Sequence, residues 1–345
     1  MLPWSADLAG RFEETTYEST LLRGNPLGDP HERPVLVYLP PGYNESDRRY
    51  PTIYVAMGYT GHLGMWFNRT PFRQPYPELL DALFADDEVP PAIVVFVDAW
   101  TRLGGSQYLD SPGTGQYHSY LCEEIVPWVD ARYRTLADRD HRAITGKSSG
   151  GYAAMVTPLL RPDLFGALAT HAGDACFDVC YRPEFPALAR KLRDKYDGSY
   201  DKFFESFASR AGQNTREDLE LIEIYGYSAA YSAEPDGTAL LPYDDLGVVI
   251  PEIWDRWLAF DPVEMVRQPQ YADALRSLRA VWIDAGKQDE YYLDFGATAF
   301  HRAAQEVGVP DERLHFELFE GTHGGIEYRY PLAVRWLCEQ LNRVP

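Results

Sequence analysis

Short apolar runs alternate along this chain with longer stretches in which apolar residues recur at helical spacing. Several of the short runs carry almost no polar residue, a pattern typical of strands that are covered on both faces. Seven runs predict strands, at residues 35–39, 52–56, 92–97, 141–145, 168–171, 280–283 and 314–318. Because these strands alternate with helices, the pattern predicts an α/β fold with a mostly parallel central sheet flanked by helices.

Three stretches carry an apolar stripe that predicts a helix against the sheet. The first contains Leu121 and Ile125 and also Pro127, which we expect to bend or shorten the helix. The other two run through residues 293–307 and 332–341.

The alternation of strands and helices stops between Cys176 and Gln270. This segment has a helical pattern, is rich in aromatic residues, and with about 95 residues far exceeds an ordinary connection between strands. We therefore predict a helical cap, residues 176–270, inserted into an α/β core formed by residues 1–175 and 271–345. The aromatic residues either build the core of the cap itself or line a substrate pocket.

Residues 146–150 read Gly-Lys-Ser-Ser-Gly and lie between a predicted strand and a helix of small residues. Glycines at both ends let the chain turn sharply, so this context predicts a nucleophile elbow with an exposed Ser148 hydroxyl. Gly-Lys-Ser also ends the phosphate-binding P-loop signature, which requires a glycine at position 141. Because that position is His141, a nucleotide-binding loop is disfavoured.

A serine hydroxyl is a weak nucleophile at neutral pH and needs a base, which in turn needs an orienting acid. In this architecture the acid and then the histidine follow the serine along the chain, in loops after late strands. The loop after the sixth predicted strand contains Asp289, and the loop after the seventh contains His323 among glycines. We therefore predict Ser148 as nucleophile, His323 as base and Asp289 as acid.

Several further residues are candidates for the same roles. His62, His118 and His171 are candidate bases, although packing, solvation or substrate contact explains each of them as well. Asp284 lies nearer the end of its strand than Asp289 does, and Asp174 follows the fifth predicted strand. Both aspartates are candidate acids.

The oxyanion that develops in ester cleavage needs backbone donors. One is the amide of Ser149, which follows the nucleophile, and for the second we predict the Tyr59 amide in the loop after the second predicted strand. The loop after the third predicted strand lies at the carboxyl end of the sheet, where ligands bind in open α/β folds. Trp100, Gln107 and Tyr108 in this loop are candidates for substrate binding, or equally for loop packing.

With these motifs the chain resembles the esterase family of the α/β hydrolases, which contains esterase D (S-formylglutathione hydrolase), feruloyl and enterochelin esterases and mycolyl transferases. The matching stretches are residues 37–43, 54–58, 124–127, 146–151, 286–289 and 321–323. The resemblance implies a Ser148–Asp289–His323 triad that uses no metal and no other cofactor. Two departures are Met57-Gly58, where the family usually has His-Gly, and a cap larger than in the small esterases.

The composition and charge of the chain disfavour some classes of binding partner. The 345 residues, 45% hydrophobic and 24% charged, are ordinary for a soluble globular protein with a sizeable core. The formal net charge of −20 disfavours nucleic acid and an anionic membrane as partners. Four irregularly spaced cysteines indicate reduced structural thiols. Residues 1–7 do not resemble a signal peptide and no stretch is apolar enough to span a membrane, so a cytoplasmic location is expected for a full-length chain.

These features predict a serine carboxylic-ester hydrolase that acts on a small-molecule ester through an acyl-enzyme. Two different functions fit the same motifs: an acyltransferase or thioesterase on the same site, and a non-catalytic binding protein on the same scaffold. Such binding proteins commonly lose a triad member, and this chain keeps all three. The sequence leaves the acyl and alcohol specificity open, and also the oligomeric state, for which a homodimer is one option.

Overall fold

An eight-stranded sheet forms the centre of the computed structural model, which describes residues 7–210, 212 and 214–343. Its strands are β1 Arg11–Glu18, β2 Glu32–Leu39, β3 Thr52–Ala56, β4 Ile93–Val97, β5 Arg142–Lys147, β6 Ala167–His171, β7 Ala280–Gly286 and β8 Leu314–Phe319. The seven predicted strands are confirmed as β2 to β8, whereas the sequence pattern did not predict β1. Two short hairpins lie between β4 and β5, at Trp100–Thr101 with Gly104–Gly105 and at Asp110–Ser111 with Gly115–Gln116.

The strand order is β1-β2-β4-β3-β5-β6-β7-β8. β2 pairs antiparallel with β1 and β4, and all other neighbours pair in parallel, so the predicted mostly parallel sheet is confirmed. In the parallel part Ala56 pairs with Gly146, and His171 pairs with both Lys147 and Asp284. The carboxyl ends of β3, β5, β6 and β7 therefore meet at one edge of the sheet, and the loops that follow them can share one site.

Twelve labelled helices accompany the sheet in the described ranges. They are α1 Tyr76–Phe84, α2 Val126–Arg132, α3 Ser149–Leu160, α4 Phe177–Cys180, α5 Phe185–Tyr196, α6 Tyr200–Ser209, α7 Arg216–Tyr231, α8 Pro251–Leu258, α9 Pro262–Met265, α10 Pro269–Arg276, α11 Leu293–Glu306 and α12 Tyr330–Leu341. Short 3₁₀ turns lie at Tyr43–Glu45, Leu63–Phe67, Arg139–His141, Arg182–Glu184, Asp311–Arg313 and Glu327–Arg329.

Pro127 is the second residue of α2, but helical structure continues into α2 from the preceding residues, so its missing N–H removes one intrahelical donor. A single α-helical turn, Tyr117–Ser119, and a π-helical segment, Tyr120–Ile125, lead into α2. The predicted apolar stripe is therefore divided between a π segment and a short α-helix, and the irregular geometry lies just before the proline.

Alternate residues of the strands pack into two separate hydrophobic clusters, one on each face of the sheet. Val35 and Val37 belong to one cluster, and Leu36 and Tyr38 to the other. This follows from the two-residue period of a strand. Both faces are covered, which explains why the central strands carry unbroken apolar runs.

The helices from α4 to α10 all lie between β6 and β7, where the sequence predicts the cap. Residues of this segment, among them Phe203 and Trp257, belong to the same hydrophobic cluster as one face of the sheet. α10 begins at Pro269, so the predicted boundary at residue 270 falls inside a helix. The division into a core and a cap subdomain stays a prediction, and the name cap stands below only for the segment of residues 176–270.

Within the described ranges no helix has the length and apolarity needed to span a membrane. Residues 1–6, which make up most of the segment considered for a signal peptide, lie outside the described residues. All four cysteines are free thiols.

Candidate active site

Ser148 lies at the turn between β5 and α3. Its backbone has φ 58° and ψ −128°, a conformation that non-glycine residues rarely adopt and that is found in strained turns at functional sites. Its amide donates to the carbonyl oxygens of His171 and Ala172, each at 3.1 Å, and its carbonyl oxygen accepts from the Tyr152 amide at 2.8 Å. These bonds tie the strained turn to β6 and to the first turn of α3.

The glycines around Ser148 are required by close packing. A Cβ on Gly146 would lie 2.4 Å from the Gly150 carbonyl group, and a Cβ on Gly150 would lie 2.3 Å from the Ala56 carbonyl oxygen. Neither distance leaves room for a side chain. The strand, sharp turn and helix predicted from the Gly-x-Ser-x-Gly pattern are therefore all present, and the glycines let α3 begin directly against β3.

His323 and Asp289 form a close pair. His323 Nδ1 lies 2.8 Å from Asp289 Oδ2, and the Asp289 side chain is fully buried whereas that of His323 is 12% exposed. The other carboxylate oxygen of Asp289 accepts from the Tyr291 amide at 2.9 Å. The His323 amide donates to the Glu290 carboxylate at 2.9 Å. Both the imidazole and the carboxylate are thus held in a fixed orientation.

Backbone contacts between the loops after β7 and β8 bring this pair together. The Lys287 amide donates to the Phe319 carbonyl oxygen and the Gln288 amide to that of Gly321, each at 2.9 Å. A Cβ on Gly286 would lie 2.5 Å from the Gly321 carbonyl oxygen, so glycine is needed where the loops touch.

A cavity of about 590 Å³ is lined by Ser148 and His323, and it extends to the cap. From the cap, α5 and α7 and the residues just before α5 contribute side chains that include Tyr181, Leu188 and Tyr227. The volume is in the range that small-molecule ligands occupy. Ser148, His323 and part of the cap therefore enclose one space, with Asp289 behind His323.

The candidate base His171 and the candidate acid Asp284 bind each other. His171 Nδ1 lies 2.7 Å from Asp284 Oδ1 and neither side chain is exposed. The second oxygen of Asp284 accepts from Arg329 Nε and Trp282 Nε1, each at 3.0 Å. His171 and Asp284 are absent from the described lining of the cavity, so this pair has a structural role beneath the elbow.

His62 and His118, the two remaining candidate bases, both lie outside the described lining of the cavity. His62 is exposed, and its ring accepts from the Gly64 amide at 3.2 Å. His118 lies 3.7 Å from the Cys122 sulfur. The candidate acid Asp174, in contrast, does line the cavity. Of the four candidate bases, only His323 therefore faces the space that contains Ser148.

The two predicted oxyanion donors flank Ser148. Tyr59 lines the cavity, and a Cβ on the adjacent Gly58 would lie 3.7 Å from Ser148 Cβ. Within the described ranges, neither the Tyr59 amide nor the Ser149 amide donates to a protein acceptor. The loop is fixed because the Gly105 amide donates to the Tyr59 carbonyl oxygen at 2.8 Å.

The three residues predicted to bind substrate lie outside the described lining of this cavity. Tyr108 is buried, and its hydroxyl accepts from the Met57 amide at 2.6 Å. Gln107 is buried and donates to the Tyr231 hydroxyl at 2.7 Å. The Trp100 ring packs against His62, with ring centroids 6.0 Å apart. Their contacts favour loop packing over substrate binding, and Tyr108 supports the loop after β3.

Burial shifts the pKa of three Lys, Asp or Glu residues of the cavity wall that lie outside the predicted triad. Burial lowers the pKa of Lys147 and raises the pKa of Asp174. Burial also raises the pKa of Glu223, on α7, to about 7. In the sequence Glu223 is one acid among several on a cap helix, and only the packing of the cap turns it toward the cavity. Among the described residues, no group of three His, Cys, Asp or Glu side chains is arranged to hold a metal ion.

The strand order, the elbow between β5 and α3, and the His–Asp pair after the last two strands define an α/β hydrolase. The model of the family described as "Putative esterase" matches residues 29–328, and the chain belongs to this family. The resemblance seen in the sequence motifs is thereby confirmed.

Curated relatives match parts of the chain. The chain is 30% identical over 170 residues to an endo-1,4-beta-xylanase/feruloyl esterase of Xylanibacter ruminicola, an alignment that covers 48% of this chain and 22% of the relative. It is 28% identical over 146 residues to an esterase of Mycobacterium tuberculosis, covering 41% of this chain and 29% of the relative. The chain therefore spans well under two thirds of the length of these relatives.

Solved structures cover nearly the whole chain. A ferulic acid esterase superposes with a TM-score of 0.62 at 19% identity, over 97% of this chain and 100% of the other. An S-formylglutathione hydrolase from Agrobacterium tumefaciens superposes with a TM-score of 0.56 at 16% identity, over 98% of each chain. At these identities the likeness establishes the α/β hydrolase fold.

Proposed function

We propose that this protein is a serine carboxylic-ester hydrolase in which Ser148 is the nucleophile, His323 the general base and Asp289 the orienting acid. The observation that carries the proposal is the 2.8 Å contact between His323 Nδ1 and the buried Asp289 carboxylate, at the cavity that also contains Ser148. Such a contact keeps a proton on Nδ1 and leaves Nε2 free to accept another. Membership of an esterase family supports the same activity.

In the proposed mechanism, Ser148 Oγ bonds to the ester carbonyl carbon while its proton passes to His323 Nε2. The carbonyl oxygen becomes an oxyanion, to which the Tyr59 and Ser149 amides donate. The bond to the alcohol oxygen then breaks, and His323 protonates the leaving alcohol. In the second half, His323 takes a proton from water as the water oxygen bonds to the acyl carbon. The bond between this carbon and Ser148 Oγ then breaks, His323 returns the proton to Oγ, and the carboxylic acid is released.

The proposed substrate is a small-molecule ester whose apolar part occupies the space between the core and the cap. Tyr181, Leu188 and Tyr227 give the cap side of the cavity apolar and aromatic surface, as ligand pockets usually have. We propose that the loops of the core, residues 1–175 and 271–345, carry the chemistry, while the cap, residues 176–270, selects the ester. The names of relatives and neighbours make feruloyl esters the first aromatic esters to test.

The nucleophile is tested with Ser148→Ala. The variant should lower kcat for p-nitrophenyl acetate by at least about 10⁴-fold with an unchanged melting temperature. A fluorophosphonate probe should label the wild type and the control Ser46→Ala, which changes an exposed serine, but not Ser148→Ala. Retention of more than about a tenth of the activity, or labelling of Ser148→Ala, would contradict the assignment.

The reaction class is tested by following the acyl group. With a p-nitrophenyl ester as donor, hydrolysis releases the free acid even when methanol is added at moderate concentration. Acid as the main product supports the hydrolase, and a methyl ester as the main product would identify an acyltransferase.

A further inference from the structure

Two carboxylates that the proposed mechanism does not use, Asp174 and Glu223, face the cavity that contains Ser148. Asp174 lies in the loop after β6, whereas Glu223 belongs to α7 of the cap. One therefore comes from the sheet and the other from the insertion. A substrate bound over Ser148 lies between these two elements.

Asp174 is 2% exposed, and the protein satisfies only one of its oxygens. Oδ2 accepts from the Tyr181 hydroxyl at 2.7 Å, the Gln107 amide group at 3.3 Å and the Ser149 hydroxyl at 3.4 Å. Oδ1 has no donor, and Asp174 no ion pair, among the residues that the structure describes. Because Oδ1 keeps some accessible surface and Asp174 lines the cavity, a donor that arrives there can hydrogen-bond to this oxygen.

Glu223 likewise has a hydrogen-bond donor at only one of its two carboxylate oxygens. One carboxylate oxygen accepts from the Tyr227 hydroxyl at 2.8 Å, and the other has no donor in the described part of the chain. The Tyr227 hydroxyl lies 3.4 Å from the Ser149 hydroxyl, which in turn contacts Asp174. A connected series of polar groups therefore runs from Glu223 to Asp174 past the residue that follows the nucleophile.

The charge of the cavity points to the kind of group that fits there. Six Asp or Glu residues and three Lys or Arg residues are found in its described lining, an excess of three acids. Burial raises the pKa of both Asp174 and Glu223, which means that the surrounding protein stabilises their negative charge poorly. A ligand that donates a hydrogen bond stabilises these negative charges, whereas a second anion destabilises them further.

We propose that Asp174 and Glu223 form a polar subsite that selects esters carrying a hydrogen-bond donor, either a hydroxyl or a protonated amine. An ester with a carboxylate in the same place is rejected. This inference rests on the proposed esterase function and adds the substrate class to it.

The test compares kcat/KM for p-nitrophenyl esters of 3-phenylpropanoic acids that carry hydrogen, hydroxyl, aminomethyl or carboxylate on the ring, at position 3 or 4. A second series, acetate esters of equally substituted benzyl alcohols, covers the alcohol side. At pH 8, where the Glu223 carboxyl with its pKa of about 7 is mostly ionised, a hydrogen bond to a charged acceptor predicts that the best donor ester exceeds the unsubstituted ester by about 10- to 100-fold. The carboxylate ester should fall at least about tenfold below it, and the better of the two donors identifies the natural group as hydroxyl or amine.

The variants Asp174→Asn and Glu223→Gln should each reduce the preference for the donor ester to below about threefold. Glu184→Gln, which changes an exposed acid at the cavity, is the matched control and should keep the wild-type preference. If Asp174→Asn does not fold, Glu223→Gln decides the question, since it keeps the shape of a side chain at the cavity wall. No preference in either series, or a preference that survives in the variants, would overturn the proposal.

Failure of the subsite is distinguishable from failure of the proposed function. A wild-type protein that hydrolyses p-nitrophenyl acetate and is labelled at Ser148, yet shows no donor preference, refutes only the subsite. A protein that neither hydrolyses p-nitrophenyl acetate nor reacts with the fluorophosphonate refutes the esterase assignment itself, and the subsite proposal with it.

Discussion

Replacement of Glu223 by glutamine should stabilise the protein, and more strongly at pH 8 than at pH 5. Burial raises the pKa of the Glu223 carboxyl in the folded protein from its ordinary 4.5 to about 7. An acid with a raised pKa binds its proton more tightly when folded, so ionisation opposes folding. This cost is absent below about pH 4.5, grows between pH 4.5 and 7, and is complete above pH 7.

The size of the effect follows from the same two values. The difference between 4.5 and about 7 corresponds to about 3 kcal/mol of unfolding free energy at pH 8. Glu223 is half-buried at a cavity wall, where water reduces the cost, so we expect glutamine to stabilise by about 1–3 kcal/mol at pH 8. At pH 5 the gain should be under about 1 kcal/mol. The glutamine carbonyl can still accept from the Tyr227 hydroxyl, so this hydrogen bond is kept.

Urea unfolding of the wild type and Glu223→Gln at both pH values measures the difference in unfolding free energy. Glu312→Gln is the matched control, because Glu312 is exposed and its substitution should change stability by less than about 0.5 kcal/mol at either pH. If Glu223→Gln had the same effect at pH 5 and pH 8, or destabilised the protein at pH 8, the carboxylate would not be in the unfavourable environment described above.

Three further substitutions test the site and its support. Asp289→Asn should lower kcat by about 10⁴-fold, since an amide cannot hold the required histidine tautomer; a loss below tenfold in ester kinetics would refute this. Asp284→Ala leaves the buried Arg329 without this partner and should lower the unfolding free energy, measured with urea, by about 3–5 kcal/mol. An unchanged unfolding free energy, as expected for an exposed acid, would refute this. Gly150→Ala brings a Cβ to 2.3 Å from the Ala56 carbonyl oxygen and should lower kcat about 10²-fold, whereas wild-type kinetics would show that the elbow adapts.

The central strands could be predicted because burial on both faces leaves an unbroken apolar run in the sequence. β1 could not, because it lies at the edge of the sheet and only some of its residues are even half-buried. Its sequence, Arg-Phe-Glu-Glu-Thr-Thr-Tyr-Glu, therefore contains few apolar residues. Its pairing with β2 comes from backbone hydrogen bonds, which leave little trace in the choice of side chains.

The residues of the site also differ in whether the sequence could predict them. Ser148, Asp289 and His323 could be predicted because each follows a recognisable strand and the fold fixes their order along the chain. Glu223 could not, since its position at the cavity depends on how α7 packs over the sheet. The same holds for Tyr108, an aromatic residue in a loop beside the site, whose hydroxyl is directed at the backbone of the loop after β3 and not at the cavity.

The contacts of Tyr59 bear on whether the cap can move as a lid. Its hydroxyl hydrogen is shared between two backbone carbonyl oxygens, that of Leu103 in the core and that of Ile222 in α7 of the cap, the latter at 2.9 Å. A Cβ on Gly226 would lie 2.4 Å from this hydroxyl, so α7 sits directly on the tyrosine. The residue whose amide is the proposed oxyanion donor is thus attached to the cap by its own side chain. An opening of α7 away from the sheet would break this hydrogen bond, whereas the bonds of Tyr59 to Gly105 and Leu103 lie within the core and do not depend on α7. The Tyr59 side chain therefore connects the loop of a proposed oxyanion donor to the helix that carries Glu223.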